Sequence, residues 1–324
     1  MRGKLNIYII VLIGTIVIVV GLLVYVSYRN DIQKAYQRIS TGSKTIDTDC
    51  GPIEYSTLGE GAPVLVLHGT SGGWDQGIDA ARGLVPHGFK IIAPSRFGYL
   101  RTPLPPDPLP PAEADTWICL LDALDIERMP VISYSAGAAP AMQLALRHPD
   151  RISAAVFIVP GSGGICPECF DEATKPPRML LDTLYRFDFP MWAIMKLAPK
   201  FIYSLLAVPS SLVPTLSPEA RAELNESIQR MLPIHPRRLG VLNEGNTQGT
   251  QIQYPLEQVT TPTLFISAAD DLYKTLPVAQ EATRSILNAK LIEFSTGGHL
   301  LLDRGDEIWP AVADFLKENA PESP

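Results

Sequence analysis

The stretch from Met129 to Pro149 decides the fold and reads Met-Pro-Val-Ile-Ser-Tyr-Ser-Ala-Gly-Ala-Ala-Pro-Ala-Met-Gln-Leu-Ala-Leu-Arg-His-Pro. It begins with a short apolar run typical of a strand and passes through small residues into a helical pattern. Ser135 lies at the turn between the two. A serine at such a sharp turn projects its hydroxyl out of the sheet, and the turn needs small residues two positions before and after it. Ser133 and Gly137 meet that requirement, which makes Ser135 a candidate nucleophile.

Short apolar runs recur on both sides of this turn, each followed by a helical stretch. Continuous apolar runs, as opposed to alternating ones, are typical of strands that are covered on both faces. The runs are Val64–Leu67, Ile91–Ala93, Pro130–Ile132, Ala154–Val159 and Thr263–Ile266. Two earlier β-like runs, Lys44–Asp49 and Pro52–Leu58, flank a Cys-Gly turn and predict an opening hairpin. The pattern predicts an α/β fold with a mostly parallel sheet.

A long interval between Pro160 and Thr261 contains no strand-like run, but it has helical periodicity and many prolines. We expect residues 161–260 to form a helical cap over a cleft, between two parts of the core at 43–160 and 261–324. The apolar stretch Met191–Val208 is expected to pack on that cleft, and Ser217 to cap a helix. A helical layer without substrate contact is the alternative.

The amino-terminal segment has no charged residue between Lys4 and Arg29. The 22 residues from Leu5 to Val26 are almost all Ile, Val, Leu, Tyr and Gly. As a helix they would span roughly 33 Å, enough to cross a hydrocarbon core of about 30 Å. Residues 1–28 are therefore predicted to be a single-pass membrane anchor, and residues 29–42 a connecting segment.

Two other interpretations of this segment are weaker. A signal peptide should have a shorter apolar region followed by small residues at a cleavage site, and a buried core helix should not be apolar all round. Basic residues flank the run on both sides, so the charge rule leaves the side of the following domain open.

Composition excludes several classes of function. The chain has 324 residues, of which 46% are hydrophobic and 19% charged, so it is neither disordered nor fibrous. Its net charge is −7 and it has no run of Lys and Arg, so no nucleic-acid partner is expected.

The four cysteines are too few for a disulfide scaffold. Cys166 and Cys169 form a C-x-x-C pair without two further ligands at matching spacing, so no metal site is expected there. A local disulfide between them is left open, while Cys50 and Cys119 look solitary.

Two further motifs follow predicted strands. His68-Gly69-Thr70-Ser71-Gly72-Gly73 follows one apolar run, and Pro94-Ser95-Arg96-Phe97-Gly98-Tyr99 follows the next. Together with the serine turn they make the chain resemble the α/β-hydrolase family from about Gly51 to Ala320. Within that family the chain is most similar to a bacterial subgroup of capped, serine-type hydrolases. It departs from the usual pattern at Ser133, where glycine is common, and at Ser95, where aspartate is common.

A serine nucleophile needs a base, and the base needs an acid that fixes its tautomer. The resemblance implies that the base is His299, which stands in Ser-Thr-Gly-Gly-His-Leu-Leu after a predicted strand. Asp270 and Asp271 both follow an earlier strand and compete for the role of the acid. The family pattern Gly-x-x-Asp, with Ala268 in the glycine position, favours Asp271. The chain order Ser135, Asp271, His299 is that of the α/β hydrolases.

The same resemblance implies an oxyanion hole built from the backbone N–H groups of Thr70 and Ala136. The sequence thus predicts a serine hydrolase that cleaves a carboxylic ester, or a related acyl bond, of a small apolar substrate through an acyl-enzyme, with no cofactor and no metal. A carbon–carbon bond hydrolase and a cofactor-free haloperoxidase share the triad and are alternatives. A non-enzymatic binding protein of the same fold is a third, which the complete triad disfavours.

Overall fold

The computed structural model describes residues 2–169, 178–247 and 253–320. Its centre is an eight-stranded sheet in the order β1-β2-β4-β3-β5-β6-β7-β8. The strands are β1 (Lys44–Thr48), β2 (Gly51–Leu58), β3 (Ala62–Leu67), β4 (Phe89–Pro94), β5 (Met129–Tyr134), β6 (Ile152–Ile158), β7 (Thr263–Ala268) and β8 (Lys290–Phe294). The pairs β1–β2 and β2–β4 are antiparallel, and all other pairs are parallel. The predicted mostly parallel α/β sheet is confirmed.

Helices cover both faces of this sheet. Those of the described residues are α1 (Arg2–Thr41), α2 (Trp74–Ala81), α3 (Pro110–Ala123), α4 (Ala138–Arg147), α5 (Arg178–Arg186), α6 (Asp188–Leu197), α7 (Pro199–Leu205), α8 (Pro218–Arg230), α9 (Arg238–Thr247), α10 (Thr275–Ser285) and α11 (Gly305–Glu318). Leu65 and Leu67 pack in a core with α3, α4 and α10, while Val64 and Val66 pack in a second core with α2 and α11. Successive strand residues point to opposite faces, which is why these strands are apolar throughout.

Helices α5 to α9 lie between β6 and β7 in the chain, and the described part of that interval contains no strand. The hydroxyl of Ser217 accepts a hydrogen bond from the N–H of Ala220 at 3.0 Å, so Ser217 caps α8 as its sequence predicts. These helices share a small apolar core that includes Trp192 and Ile202 and reaches Tyr99 of the sheet domain. We call α5 to α9 the cap.

The amino-terminal segment is one uninterrupted helix of 40 residues, so the predicted anchor and connecting segment are continuous. Within the described residues, α1 is the one helix long and apolar enough to cross a membrane, and its most apolar window is wholly unburied. Its later turns pack on the cap. The Tyr28 ring lies 5.2 Å from that of Phe189 and 5.5 Å from that of Trp192, centre to centre. The Asp31 carboxylate accepts a hydrogen bond from Trp192 Nε1 at 2.9 Å.

The cysteines correct one expectation. Cys50 and Cys119 are not solitary but form a disulfide that joins the β1–β2 turn to α3, with 6.0 Å between their Cα atoms. The prediction is wrong because 69 residues separate the two cysteines and no local pattern links them. Cys166 and Cys169 form a second disulfide, with a Cα separation of 5.3 Å. Although Glu168 lies beside them, their sulfurs are bonded to each other and are not thiolate ligands.

Candidate active site

The candidate nucleophile lies where the sequence predicts a sharp turn. Ser135 directly follows β5, and its φ of 48° places it in the left-handed region that residues with side chains rarely adopt. A Cβ on Gly137 would stand 2.6 Å from the carbonyl oxygen of Leu67, so this position requires glycine. Ser133 is fully buried in place of the usual glycine, and its hydroxyl donates to the carbonyl of Val156 on the next strand at 3.4 Å. The departure at Ser133 is therefore accommodated within the sheet.

The candidate acid and base form a direct pair. Asp271 follows β7, His299 follows β8, and the Nδ1 of His299 lies 2.8 Å from the Oδ2 of Asp271. The Asp271 side chain is completely buried, and its carboxylate also accepts from the hydroxyl of Thr275 and from the N–H of Tyr273, the latter at 2.8 Å. With the carboxylate as acceptor, the proton resides on Nδ1 and the lone pair on Nε2. The ring is thus prepared to accept a proton at Nε2.

Asp270, the competing carboxylate, binds the backbone of the His299 loop and not the His299 ring. Its Oδ1 accepts a hydrogen bond from the backbone N–H of Gly298 at 2.8 Å. Gly298 immediately precedes His299 and has a φ of 61°, a conformation that favours glycine. Asp270 therefore holds the loop that carries the histidine, while Asp271 binds the ring.

The cap closes over the histidine side of this arrangement. The backbone N–H of His299 donates to the carbonyl of Ala207, just after α7, at 3.3 Å. The Tyr273 ring packs edge-on against the His299 ring at 4.9 Å, and its hydroxyl donates to the carbonyl of Leu205 at 2.7 Å. Burial raises the pKa of Tyr273 to about 12, so this hydroxyl keeps its proton at neutral pH. The end of the Met191–Val208 stretch thus packs at the cleft, as expected, whereas its beginning packs on α1.

Among the described residues, no hydrogen bond joins Ser135 to His299. Such a bond is often long before a substrate binds and shortens in the reacting complex. The structure therefore brings two of the three predicted residues into contact and places the third at the carboxyl edge of the same sheet.

The loop after β3 adjoins the serine. A Cβ on Gly69 would lie 3.1 Å from the Cβ of Ser135, a tight contact that would require the serine to shift slightly. The N–H of Gly69 donates to the side-chain carbonyl of Gln76 at 2.9 Å and is therefore engaged. Thr70 follows in the same loop, and Ala136 opens the turn after the serine. These are the two positions at which the sequence predicts oxyanion donors.

His68, at the start of that loop, is fixed in a neutral form. It is completely buried, its Nδ1 lies 2.7 Å from the carbonyl of Gly69, and its Nε2 accepts from the N–H of Arg96 at 2.9 Å. Burial, reinforced by the charge of Arg96, holds the pKa of His68 well below 6.5. His68 shapes the loop and has no free nitrogen for proton transfer.

A buried ion pair that the sequence analysis missed also fixes this loop. Arg237, in the turn before α9, is completely buried and binds both carboxylate oxygens of Asp75, at 3.0 and 2.8 Å. Its guanidinium also donates to the carbonyl of Gly72 at 2.5 Å. Burial opposes ionisation of Asp75, yet the charges of Arg237 and of Arg38 on α1 hold its pKa below the ordinary value. The cap and α1 thus meet at the loop after β3, and the sequence separation of 162 between Arg237 and Asp75 explains why no local motif shows this contact.

A second buried arginine links the cap to the sheet domain. Arg96 follows β4 and binds Glu113 of α3 at 2.9 Å and Glu244 of α9 at 2.5 Å. Burial raises the pKa of Glu113 in spite of the neighbouring charge of Arg96. The backbone N–H of Arg96 is the donor that fixes His68, so this cluster also supports the loop beside the serine.

A model of the alpha/beta hydrolase fold matches residues 62–306. The chain therefore belongs to the α/β-hydrolase family, as its motifs indicate, and it is a hydrolase.

Relatives agree with this assignment. A 2-hydroxy-6-oxononadienedioate/2-hydroxy-6-oxononatrienedioate hydrolase of Paraburkholderia xenovorans is 27% identical over 277 residues, which cover 82% of this chain and 90% of that protein. An alpha/beta hydrolase fold protein from Nakamurella multipartita has a TM-score of 0.68 and 27% identity, and the match covers 85% of this chain and 99% of that one. An enol-lactonase from Burkholderia xenovorans has a TM-score of 0.65 at 17% identity, covering 85% of this chain and 100% of that one, and shows the fold alone.

Proposed function

We propose that this protein is a membrane-anchored serine hydrolase that cleaves small apolar carboxylic esters through an acyl-enzyme. Ser135 is the nucleophile, His299 the general base and Asp271 the acid that orients the base. The observation that carries the proposal is the contact between His299 Nδ1 and the buried Asp271 carboxylate at 2.8 Å, on the sheet edge that presents the strained Ser135 turn.

The reaction follows from these positions. As the Ser135 oxygen attacks the ester carbonyl, His299 Nε2 takes the serine proton, and Asp271 stabilises the imidazolium that forms. The backbone N–H groups of Thr70 and Ala136 bind the negatively charged oxygen of the tetrahedral intermediate. Loss of one such donor costs about 2.7–4 kcal/mol of transition-state stabilisation. His299 then protonates the departing alcohol, and a water activated by the same nitrogen releases the acid.

Labelling of the full-length chain in detergent micelles with a fluorophosphonate probe tests the nucleophile. The probe should label the wild-type chain, and Ser135→Ala should abolish labelling and ester hydrolysis. Ser133→Ala, two residues earlier in β5, is the matched control and should keep both. Equal labelling of Ser135→Ala and wild type would disprove the assignment.

Carbon–carbon bond hydrolysis is a second candidate, favoured by the relative from Paraburkholderia xenovorans, whose name describes it as a 2-hydroxy-6-oxo-dienedioate hydrolase. The same triad would serve both reactions. A comparison of kcat/KM for p-nitrophenyl esters of graded chain length with kcat/KM for a 2-hydroxy-6-oxo-dienoate separates them. The ester reaction should be the faster one, and a faster dienoate reaction would replace our proposal.

The anchor is part of the proposal and rests on α1. Its apolar residues from Tyr8 to Val26 are exposed, and a helix satisfies its own backbone hydrogen bonds in hydrocarbon. The full chain should resist carbonate extraction from membranes, and mass spectrometry should find residues 5–26 in the mature protein. Cleavage near Ser27 would show that the helix is a signal peptide.

A further inference from the structure

Large apolar side chains on the cap stand in solvent near α1. The exposed fractions are 62% for Phe187, 45% for Phe189, 84% for Leu197 and 54% for Phe201. All four belong to α6, to α7 or to the residues at their ends. We call these four side chains the cap–anchor face. Phe187 and Phe189 line one groove with Tyr28 of α1. A contiguous exposed apolar patch marks contact with another protein or with a membrane.

The depth of this face relative to the proposed span can be read from α1. Tyr28 follows Val26, the last residue of the apolar run, by two positions, or about 3 Å along a helix. The ring of Phe189 packs edge-on against Tyr28 at 5.2 Å, and Trp192 packs on both rings. Phe189 therefore lies where α1 leaves the hydrocarbon, the depth at which aromatic rings concentrate in membrane proteins.

The charges around the face have the opposite sign to the chain as a whole. Residues 29–34 and 186–200 carry five basic and two acidic side chains, whereas the net charge of the chain is −7. Asp31 pairs with Lys196 at 3.0 Å, and Asp188 accepts from the N–H of Ile234 at 2.7 Å. The basic side chains outside the Asp31–Lys196 pair are Arg29, Lys34, Arg186 and Lys200. Exposed apolar rings with basic residues beside them match the headgroup region of a bilayer containing anionic lipid.

A groove of about 550 Å³ separates the cap from α1 at the same level and is lined by Tyr28, Tyr36, Phe187 and Phe189. Its lining also includes Arg186, Asp188, Pro190 and His235, so aromatic and polar side chains share its walls. This groove continues the cap–anchor face toward α1. The cap and α1 would therefore meet the lipid through one continuous surface.

We propose that the cap–anchor face sits in the headgroup region of the bilayer, so that the cap is held against the membrane by its own rings as well as by α1. This inference rests on the proposed anchor and is independent of the reaction catalysed. It would bring α6 and α7 to the lipid surface, and the segment just after α7 contacts the candidate base, since the carbonyl of Ala207 accepts from the N–H of His299 at 3.3 Å.

Tryptophan quenching in vesicles tests this placement with the full-length chain. The vesicles contain phosphatidylcholine and phosphatidylglycerol, with or without bromine atoms near the headgroup end of the acyl chains. Phe187→Trp and Phe201→Trp each add one fluorophore, whose signal is the difference from the unsubstituted chain. Brominated lipid should lower that difference roughly twofold, since a ring at this depth is within contact distance of the bromines.

Two control positions make the outcome decisive. Leu287→Trp, 80% exposed at the amino end of β8 and so at the sheet edge opposite the cap, should not be quenched. Ile16→Trp, within the span, should be quenched and reports insertion of the anchor. Quenching at Ile16 without quenching at Phe187 and Phe201 would overturn the inference and leave the anchor standing, whereas loss of quenching at Ile16 would overturn both. A Phe187→Trp fluorophore that neither brominated lipid nor acrylamide, a water-soluble quencher, can quench would overturn the inference and indicate that a protein partner covers the face.

Discussion

Two histidine-bearing loops at the carboxyl edge of one sheet differ in what binds their rings. His299 has a buried carboxylate on Nδ1 and nothing bonded to Nε2 among the described residues, and its side chain is 10% exposed. His68 is completely buried and has backbone partners on both nitrogens. The first ring can exchange a proton with a substrate, whereas the second can only hold its loop in place. The partners of an imidazole, more than its place in the fold, decide whether it is chemical or structural.

The two loops also differ in what supports them. The His299 loop is held by Asp270 from the neighbouring strand end and by the main chain after α7. The His68 loop is held by a buried ion pair between Asp75 and Arg237 of the cap. Substitution of the buried cap charges should therefore disturb the His68 loop first, and substitution at the strand ends should disturb the His299 loop.

The largest expected effect concerns the acid of the His299 loop. Asp271→Asn should lower kcat about 10⁴-fold, because an amide favours the wrong imidazole tautomer. Asp270→Asn keeps the side-chain oxygen that accepts from Gly298 and loses only its charge, so it should cost about tenfold or less, or about 1.4 kcal/mol. Steady-state ester kinetics on both variants decide the assignment, which a larger loss in Asp270→Asn would reverse.

The second effect concerns the support of the His68 loop. Arg237→Gln leaves the buried Asp75 without its main partner and should lower the free energy of unfolding by about 3–5 kcal/mol, as removal of one half of a buried pair does. The kcat should fall as well, because Gly72 loses the guanidinium that fixes its carbonyl. Chemical denaturation and ester kinetics measure the two effects.

Two controls sharpen that comparison. The double variant Asp75→Asn/Arg237→Gln removes both charges and should recover part of the lost stability. Arg284→Gln breaks an exposed pair with Glu281 and should change the free energy of unfolding by about 1 kcal/mol or less. If Arg237→Gln is no more destabilising than Arg284→Gln, the ion pair does not support the loop.

The smallest effect is a pH dependence. The folded state holds the pKa of His68 below 6.5, so the unfolded chain binds this proton more readily. Stability from the neutral ring is complete above pH 6.5 and is lost as the pH falls below it, at up to about 1.4 kcal/mol per pH unit. The free energy of unfolding of wild type should therefore fall more steeply between pH 7.5 and 5.5 than that of His68→Asn. Parallel curves would show that His68 is not held neutral.

The sheet and the candidate site could be predicted because their signals are local. A strand buried on both faces must be apolar throughout, and a left-handed serine turn must have small neighbours, so both leave their pattern in a few consecutive residues. The pairing of His299 with Asp271 agrees with the family order of the triad. The catalytic roles of these residues and of Thr70 and Ala136 stay predictions.

The long-range contacts could not be predicted. Arg237 and Asp75, like Cys50 and Cys119, are brought together only by the folded chain. The contact between α1 and the cap left a faint signal, since Ile32 and Ala35 are three residues apart and both are buried. Two apolar residues at helical spacing in a polar segment predict that one face of the helix is buried against another element. In this structure that element is the cap.

The two disulfides have a consequence for how the protein is made. With α1 across a bilayer, all four cysteines lie on the carboxyl-terminal side of the helix. Disulfides persist outside the cytosol and are reduced within it. If α1 is the proposed anchor, export of the hydrolase domain, with Arg2 and Lys4 on the cytosolic side, would preserve both bonds. On the proposal that α1 is an anchor, both sulfur bridges would then close after the hydrolase domain has been exported.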